Sequence, residues 1–434
     1  MAEVRKGSFG PLENDSVVVI VGGGPSGSGC AMAFLQEAEK RNIRLKVIIY
    51  EGKVFKKSTH HNQCAGVLSP PIAELLKSEL NVEFPYELTQ RNIEGYILHG
   101  NKKSIKLIEE NCLSHAMHRV NFDEYLLNEA RKHGAEVINA RVTGIEIHNN
   151  CARIYSEGGN LKADLVVGAF GLDEGASAIF SRDVGYEQPH YLDSILTKIH
   201  PDPDFIDEFG DYIHAFLPPV KGIEFGAVTP KSDHLTINIA GSGITTNHMD
   251  HFLNMEEVRT VLPPLNQWHP ESLDYYKGRF PIGIAKGYYS DRFAAVGDAA
   301  GLVRPFKGKG INAGIITGVR AAKVAMEFGI SKVAFGEYAR VNSDFIADLP
   351  YGKGLRFLTK KMANINLMDS LIELAEVNED VARVLFDSVS AHKSLKEIFR
   401  YSREHGVILK IAVYLLKNNA LGHLTLRAQR VAEM

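Results

Sequence analysis

The 434-residue sequence predicts an α/β protein built on a parallel sheet. Three observations predict it. "SVVVIVGGGPSGSGCAMAFLQEAEKR" reads as a strand, a glycine turn and a helix. "LKVIIYEG" follows as a second strand. "FAAVGDAAGLVRPFKGKGINAGIITGVRAAKVAMEF" repeats the order of strand, glycine-rich loop and long helix close to residue 300. Strands joined through a helix run parallel, so this pattern builds a sheet with helices on its faces.

Residues 16–21 are a β-branched apolar run, as expected of a strand buried on both faces. Gly22, Gly24 and Gly27 form GxGxxG. The first permits the tight turn, the second lets the backbone approach a pyrophosphate, and the third lets helix and strand pack closely. Ala31, Phe34, Leu35 and Ala38 recur at helical spacing. The second strand ends at Glu51, 24 residues after Gly27, where a carboxylate meets the hydroxyls of a ribose. The unit predicts a Rossmann-like nucleotide site.

"HRVNFDEYLLNEARKHGAEVI" follows a less regular stretch and predicts a helix starting just after Arg119, with Phe122, Leu126, Leu127 and Ala130 inward. "ARVTGIEIHNNCARIYSEGGNLKADLVVGAFG" alternates as a β-meander and returns to a buried strand, Leu165–Ala169. Residues 185–285 are strand-rich, with "DYIHAFLPP" and "HLTINIAG" the clearest strands, and predict a second, β-rich lobe. From 331 to 434 the pattern is helical. The expected organisation is a discontinuous nucleotide domain (1–184 and 286–330), a substrate lobe (185–285) and a C-terminal helical region (331–434).

A net charge of −3 gives no electrostatic footprint for nucleic acid. The first residues lack an apolar signal core, which predicts a cytoplasmic protein. Cys30, Cys64, Cys112 and Cys151 form no CxxC pair, so neither a disulfide framework, an iron–sulfur cluster nor another metal centre is expected. Cys64 lies in "HHNQCAGVLSPP" beside His60 and His61. The run Val407–Leu416 is too short to span a bilayer, and it reads either as a core helix or as a helix lying in a membrane interface.

Three separated stretches, "VVVIVGGGPSG…YEG", "ADLVVGAFG" and "FAAVGDAAGLVRPFKGKGINAG", resemble the FAD-binding pattern of glutathione-reductase-like flavoproteins with p-hydroxybenzoate hydroxylase topology. "CAGVLSP" and "HRVNFDEYL" resemble the geranylgeranyl reductase family within that group. The resemblance implies that Ser26 and Glu51 hold the pyrophosphate and the adenosine ribose, and that Arg119 reaches the dinucleotide. It implies adenine contact through the backbone of Val142, a ribityl contact from Asp298, and Gly310 and Ile311 facing the isoalloxazine. Cys64, Ala65, Gly66 and Val67 would lie beside the flavin. Lys307 and Lys309 precede the helix that opens at "GKGINAG", whose N-terminal N–H groups suit negative charge on reduced flavin.

Phe170 stands where many relatives carry Asp, and no second GxGxxG is present, so direct reduction by NAD(P)H is not expected and ferredoxin or another external reductant is. The family's tunnel motif Tyr-x-Trp-x-x-Pro is replaced by "YIHAFLPP", which places His214, Phe216 and Pro219 as substrate-contacting candidates. The leading expectation is FAD-dependent saturation of carbon–carbon double bonds in an isoprenoid or other hydrophobic lipid. The alternatives are an electron-transfer subunit serving a quinone or a protein partner, and a flavin monooxygenase. Cys64 has two readings, a proton donor to the substrate or a small side chain that permits close packing on the ring.

Overall fold

The computed structural model describes residues 9–55, 64–108, 113–304, 310–364 and 367–417. A six-stranded sheet runs in the order Tyr289–Ser290, Phe293–Ala295, Leu165–Gly168, Ser16–Val21, Leu45–Tyr50, Glu136–Ile138. All pairs are parallel except the outer pair that includes Tyr289–Ser290. Val18, Val19 and Ile20 are wholly buried, as their unbroken apolar run requires. The α/β class and the Rossmann-like arrangement of the sequence reading are present.

Helix Pro25–Lys40 packs on helices Gly310–Glu327 and Arg119–Lys132. The first contact is unusually close. A Cβ at Gly318 would sit 2.6 Å from the Ser26 carbonyl oxygen, and at Gly314 it would sit 2.3 Å from Ser26 Oγ. Cys30 lies in this interface with no exposed surface, and burial drives its thiol far above the ordinary range, so it is a packing residue. The antiparallel meander of Val142–Ile147, Ala152–Ser156 and Leu161–Ala163 matches the sequence reading.

The second lobe is a seven-stranded sheet. Its order is Tyr276–Pro281, Tyr191–Ile199, Leu235–Gly241, Ile223–Pro230, Tyr212–Phe216, Gly95–His99, Ser104–Ile108. The last two strands come from the segment that the sequence reading assigned to the nucleotide domain. They form a hairpin that adds to the sheet edge through a parallel pairing of Gly95–His99 with Tyr212–Phe216. That pairing spans more than a hundred residues of chain, and local pattern carries no sign of it. A small third sheet, Val67–Leu68, Ser114–Met117 and Thr89–Ile93, links the two lobes.

Side chains of the large sheet alternate between two cores. One face holds Phe216, Ile237 and Ile239 against Phe252 and Trp268. The other holds Tyr96, Leu98, Ile213 and Ala215 against Met368, Leu371 and Phe386 of the C-terminal helices. Those helices are Lys332–Val341, Ser343–Asn364, Met368–Val377, Glu379–Ser390, Leu395–Glu404 and the helical residues 407–417. Among the described residues no helix is long and apolar enough to cross a membrane.

The closeness of the two long helices is testable. Gly318→Ala puts a methyl 2.6 Å from a backbone oxygen that cannot rotate away. The expected cost is about 1–3 kcal/mol, typical of an overpacked core. It would appear as a lower urea midpoint with unchanged slope. An unshifted midpoint would mean that the helices separate freely.

Candidate functional site

The glycine turn is built from the strand ends inward. Gly22 takes a φ of 110°, and its N–H donates to the Tyr50 carbonyl at 2.8 Å. A Cβ there would meet the Ala169 carbonyl oxygen at 2.4 Å, so only glycine fits. Glu51 receives the N–H of Gly23 at 2.8 Å on one carboxylate oxygen and that of Lys53 at 2.8 Å on the other. Asn139 anchors the same corner by donating to the Glu51 and Lys53 carbonyls at 2.8 and 3.0 Å.

Helix Pro25–Lys40 begins without a side-chain cap and with no acidic residue in its first turn. Its first N–H groups therefore face an anion site. A Cβ placed on Gly24 would meet nothing within 4 Å, so there is open room beside the helix start. An uncapped helix end, open space and a carboxylate at the second strand end together fit the pyrophosphate and ribose of a dinucleotide. Val142 opens its strand just after Arg141, whose side chain would touch a Cβ on Gly52 at 2.6 Å.

The third glycine-rich stretch folds onto the first. A Cβ on Gly297 would lie 2.2 Å from Ser26 Oγ, so the serine side chain is seated against Gly297 and Gly314. Asp298 lies in the short 3-10 turn Gly297–Ala299 just after the strand Phe293–Ala295, and a Cβ on Gly310 would come within 3.0 Å of its Oδ1. Ile311 is buried one residue further on. Burial pushes the Asp298 carboxyl up to about 6, while Arg119 pulls it the other way. Burial opposes the charge of Arg119 itself, but Asp123, Cys64 and Asp298 together hold it more firmly protonated than usual. Arg119 donates to Asp123 Oδ1 at 2.5 Å.

Cys64 is exposed, with Ala65 and Val67 half-buried and Gly66 buried behind it. The Gly66 N–H donates to Cys64 Sγ at 3.4 Å, which folds the thiol back over its own loop. Gly66 has a φ of 71°, and a Cβ there would strike the Met117 carbonyl oxygen at 2.2 Å. The two sequence readings of Cys64, proton donor or small packing residue, leave its charged neighbours unspecified. Arg119 and Lys231 both feel its charge. Lys231 was not singled out from sequence. It sits in a four-residue turn between two strands of the large sheet, it is 1% exposed, and its Nζ donates to Met117 O at 2.7 Å. "PKSDH" looks like a solvated turn, and nothing local marks the lysine as inward-facing.

His214, Phe216 and Pro219 are placed differently from the other candidates. His214 Nδ1 and His99 Nε2 share a hydrogen bond at 2.8 Å, and burial holds both rings neutral, pushed down to about 3 and about 4. Phe216 stacks on His99 at 4.5 Å and meets Phe252 edge-on at 5.6 Å. Pro219 is exposed. Strand alternation thus sends His214 and Phe216 to one face of the sheet. Ile213, Ala215 and Leu217 line the other, in the same core as Val67 and Ala116. Phe170 packs on Phe180 and Tyr186 at 4.6 and 5.5 Å, so its ring fills core space. His60, His61, Cys112, Lys307 and Lys309 lie outside the described residues.

No protein-family model matches the chain. It is 24% identical over 409 residues to digeranylgeranylglycerophospholipid reductase 1 of Methanothermobacter thermautotrophicus, covering 89% of this chain and 95% of that protein. It is 25% identical over 416 residues to the digeranylgeranylglycerophospholipid reductase of Methanococcus vannielii, covering 90% and 98%. Among solved structures, a geranylgeranyl bacteriochlorophyll reductase-like protein of Thermoplasma acidophilum superposes with a TM-score of 0.62 at 19% identity, covering 90% and 99%. A flavoprotein/dehydrogenase of Cytophaga hutchinsonii gives 0.65 at 17% identity, covering 93% and 100%. The glycine turn with Glu51, the Asp298 strand end and the Cys64 loop thus sit in a chain whose curated reductase relatives match it almost end to end. The chain is thus similar over nearly its whole length to curated digeranylgeranylglycerophospholipid reductases, and it shares its fold with flavin-dependent oxidoreductases.

Proposed function

We propose that this chain holds FAD and saturates carbon–carbon double bonds of an isoprenoid lipid. The observation that carries the reading is that the charges of both Asp298 and Cys64, the one exposed thiol among the described cysteines, act on Arg119 at the head of helix Arg119–Lys132. The curated relatives, named for reduction of a digeranylgeranyl lipid, supply the substrate class.

When bound, reduced flavin supplies hydride to one alkene carbon. The chain's own residues do the rest. The glycine turn and the start of helix Pro25–Lys40 bind the pyrophosphate, and Glu51 accepts from the ribose. Asp298 would accept from the ribityl chain, and helix Gly310–Glu327, which has no acidic residue in its first turn, would offer its positive end to negative charge on the reduced cofactor. Cys64 Sγ holds the proton due to the second alkene carbon, because an isolated alkene accepts hydride only where an acid stands on the correct face. Phe170 leaves no carboxylate in the middle motif to serve a nicotinamide donor, so the electrons come from ferredoxin or another external reductant.

The lipid reaches the site from a bilayer surface. Ile408, Leu409, Val413 and Leu416 are exposed on helical residues 407–417, close in sequence to exposed Phe399. Exposed Lys396, Arg400, Arg403 and Lys417 accompany them, the composition of a helix lying in an anionic interface.

Glu51→Ala and Asp298→Asn each remove charge-assisted hydrogen bonds worth roughly 1.5–3 kcal/mol, so flavin should dissociate about 10- to 100-fold more readily. Equilibrium dialysis measures this, and unchanged retention in both would sink the assignment. Asp298 also predicts a pH effect in flavin-free protein. Its carboxyl rises from 3.8 unfolded to about 6 folded, so the folded chain binds the extra proton and stability through this group falls as pH rises across that window. Asp298→Asn should remove that slope in urea titrations between pH 4 and 7; a wild-type slope retained in the variant refutes it.

The activity itself is read by mass. Flavin-loaded protein reduced with dithionite and given a polyprenyl glycerolipid should return lipid heavier by two hydrogens per bond, and no mass gain ends the reading. In the same assay NADPH should reduce the flavin far more slowly than dithionite or reduced ferredoxin; equal rates would return the direct nicotinamide route. Leu409→Glu with Leu416→Glu should abolish co-sedimentation with anionic phosphatidylglycerol vesicles while flavin reduction stays normal. Undiminished vesicle binding would rule out that face.

A further inference from the structure

We propose that Lys231 is the charge partner of Cys64, a positioning residue that restores the proton Cys64 delivers. The proposal rests on the proton-donor reading of Cys64 given above and extends it to a residue in the other lobe.

Lysine is almost never wholly buried without a compensating partner. Lys231 is 1% exposed. Its Nζ donates to Met117 O at 2.7 Å, and among the described residues no carboxylate forms an ion pair with it. The same carbonyl lies against Gly66, and the position of a Gly66 Cβ is 3.0 Å from Lys231 Nζ. The Gly66 N–H is in turn the donor to Cys64 Sγ. Ammonium and thiol therefore flank one glycine, and the loop between them is clamped by the Met117 N–H bond to the Gly66 carbonyl at 2.9 Å.

Every charged or titratable group around the ammonium bears on its behaviour. Lys198, on strand Tyr191–Ile199, repels it. His118 and Arg119 stand at the head of helix Arg119–Lys132, with Arg119 also facing Cys64. Asp233 and His234 share its own turn, and Asp233 Oδ1 is engaged by His234 Nδ1 at 2.7 Å. Cys64 as thiolate is the attractive neighbour. Burial dominates and pushes Lys231 down to about 7, with Cys64 opposing and Lys198 adding to the fall. An ammonium in that range gives up and regains its proton readily at neutral pH.

The proton balance closes. One alkene carbon takes hydride from reduced flavin; the other takes the proton of Cys64 Sγ–H as the carbon–hydrogen bond forms. The thiolate left behind recovers a proton from the Lys231 ammonium. The resulting amine is recharged from solvent beside His118 and His234, whose rings lie 5.6 Å apart and nearly parallel, with Asp233 exposed at the outer end. No further electrons move.

The test uses flavin-loaded protein with Lys231→Gln, which keeps a donor for Met117 O but no charge, and Lys231→Arg, which keeps the charge. Iodoacetamide labelling of Cys64 at pH 7, followed on its peptide by mass spectrometry, should be on the order of tenfold slower in Lys231→Gln and close to wild type in Lys231→Arg. This readout needs no substrate. Equal labelling in wild type and Lys231→Gln overturns the pairing. Re-oxidation of dithionite-reduced flavin by the polyprenyl lipid should fall in wild type as pH rises through about 7. In Lys231→Gln it should be roughly 10²-fold slower with that limb gone. A limb unchanged in the variant also overturns the proposal. Slower labelling with no alkene reduction by the wild type supports the pairing and overturns the alkene-reductase reading instead.

Discussion

The structure depends on how closely two helices meet at Ser26. Three glycines, Gly297, Gly314 and Gly318, present backbone to this one serine at distances that admit no Cβ. They come from the loop that carries Asp298 and the helix after it, whereas Ser26 belongs to the first glycine turn and its helix. Close-packed interiors transmit such contacts without slack. The separation between the Gly22–Gly27 turn and Asp298 is therefore fixed by bare backbone against a short side chain. Glu51 is held as tightly on the other side, by two backbone N–H groups and the Asn139 corner. The dinucleotide proposed to span these points would meet a preformed site.

The parts of this site that could be read from sequence are those built by contiguous residues. The Gly22–Gly27 turn, its helix and Glu51 lie within one βαβ unit, where period and glycine spacing carry the geometry. Asp298 and the helix after it repeat that logic. What escaped depends on pairings between distant segments. The hairpin Gly95–His99 and Ser104–Ile108 joins the lobe sheet through a parallel contact with Tyr212–Phe216, and neither segment announces the other. His214 and Phe216 were legible as strand residues, but which face they take is set by the sheet's two cores. A strand with apolar residues on both faces does not declare which one serves the substrate.

Lys231 shows the same limit in a single residue. Between a strand ending in Pro230 and a strand starting at Leu235, a turn of Lys, Ser, Asp and His reads as solvent-facing. It turns inward because the large sheet abuts the small linking sheet there, and the Met117 carbonyl needs a donor that its own strand pairing leaves free. Burial of that lysine is a consequence of how two lobes meet, and no window of sequence contains both.

That meeting also bears on the proton chemistry proposed for the Cys64 loop. The nucleotide domain contributes the rigid cradle and the carboxyl of Asp298. The lobe contributes the ammonium of Lys231. Arg119, at the head of the helix between them, feels Asp298 and Cys64 together. A negative charge that develops anywhere along this line meets a fixed positive group within the same cluster, so little reorganisation is required when it forms. The two cations come from different elements and answer to different constraints. Arg119 is tied to Asp123 and keeps its proton across the working range, whereas Lys231 lacks a carboxylate partner among the described residues and is pressed by burial toward neutrality. One holds charge and the other can exchange it, which is the division of labour that hydride transfer followed by protonation requires.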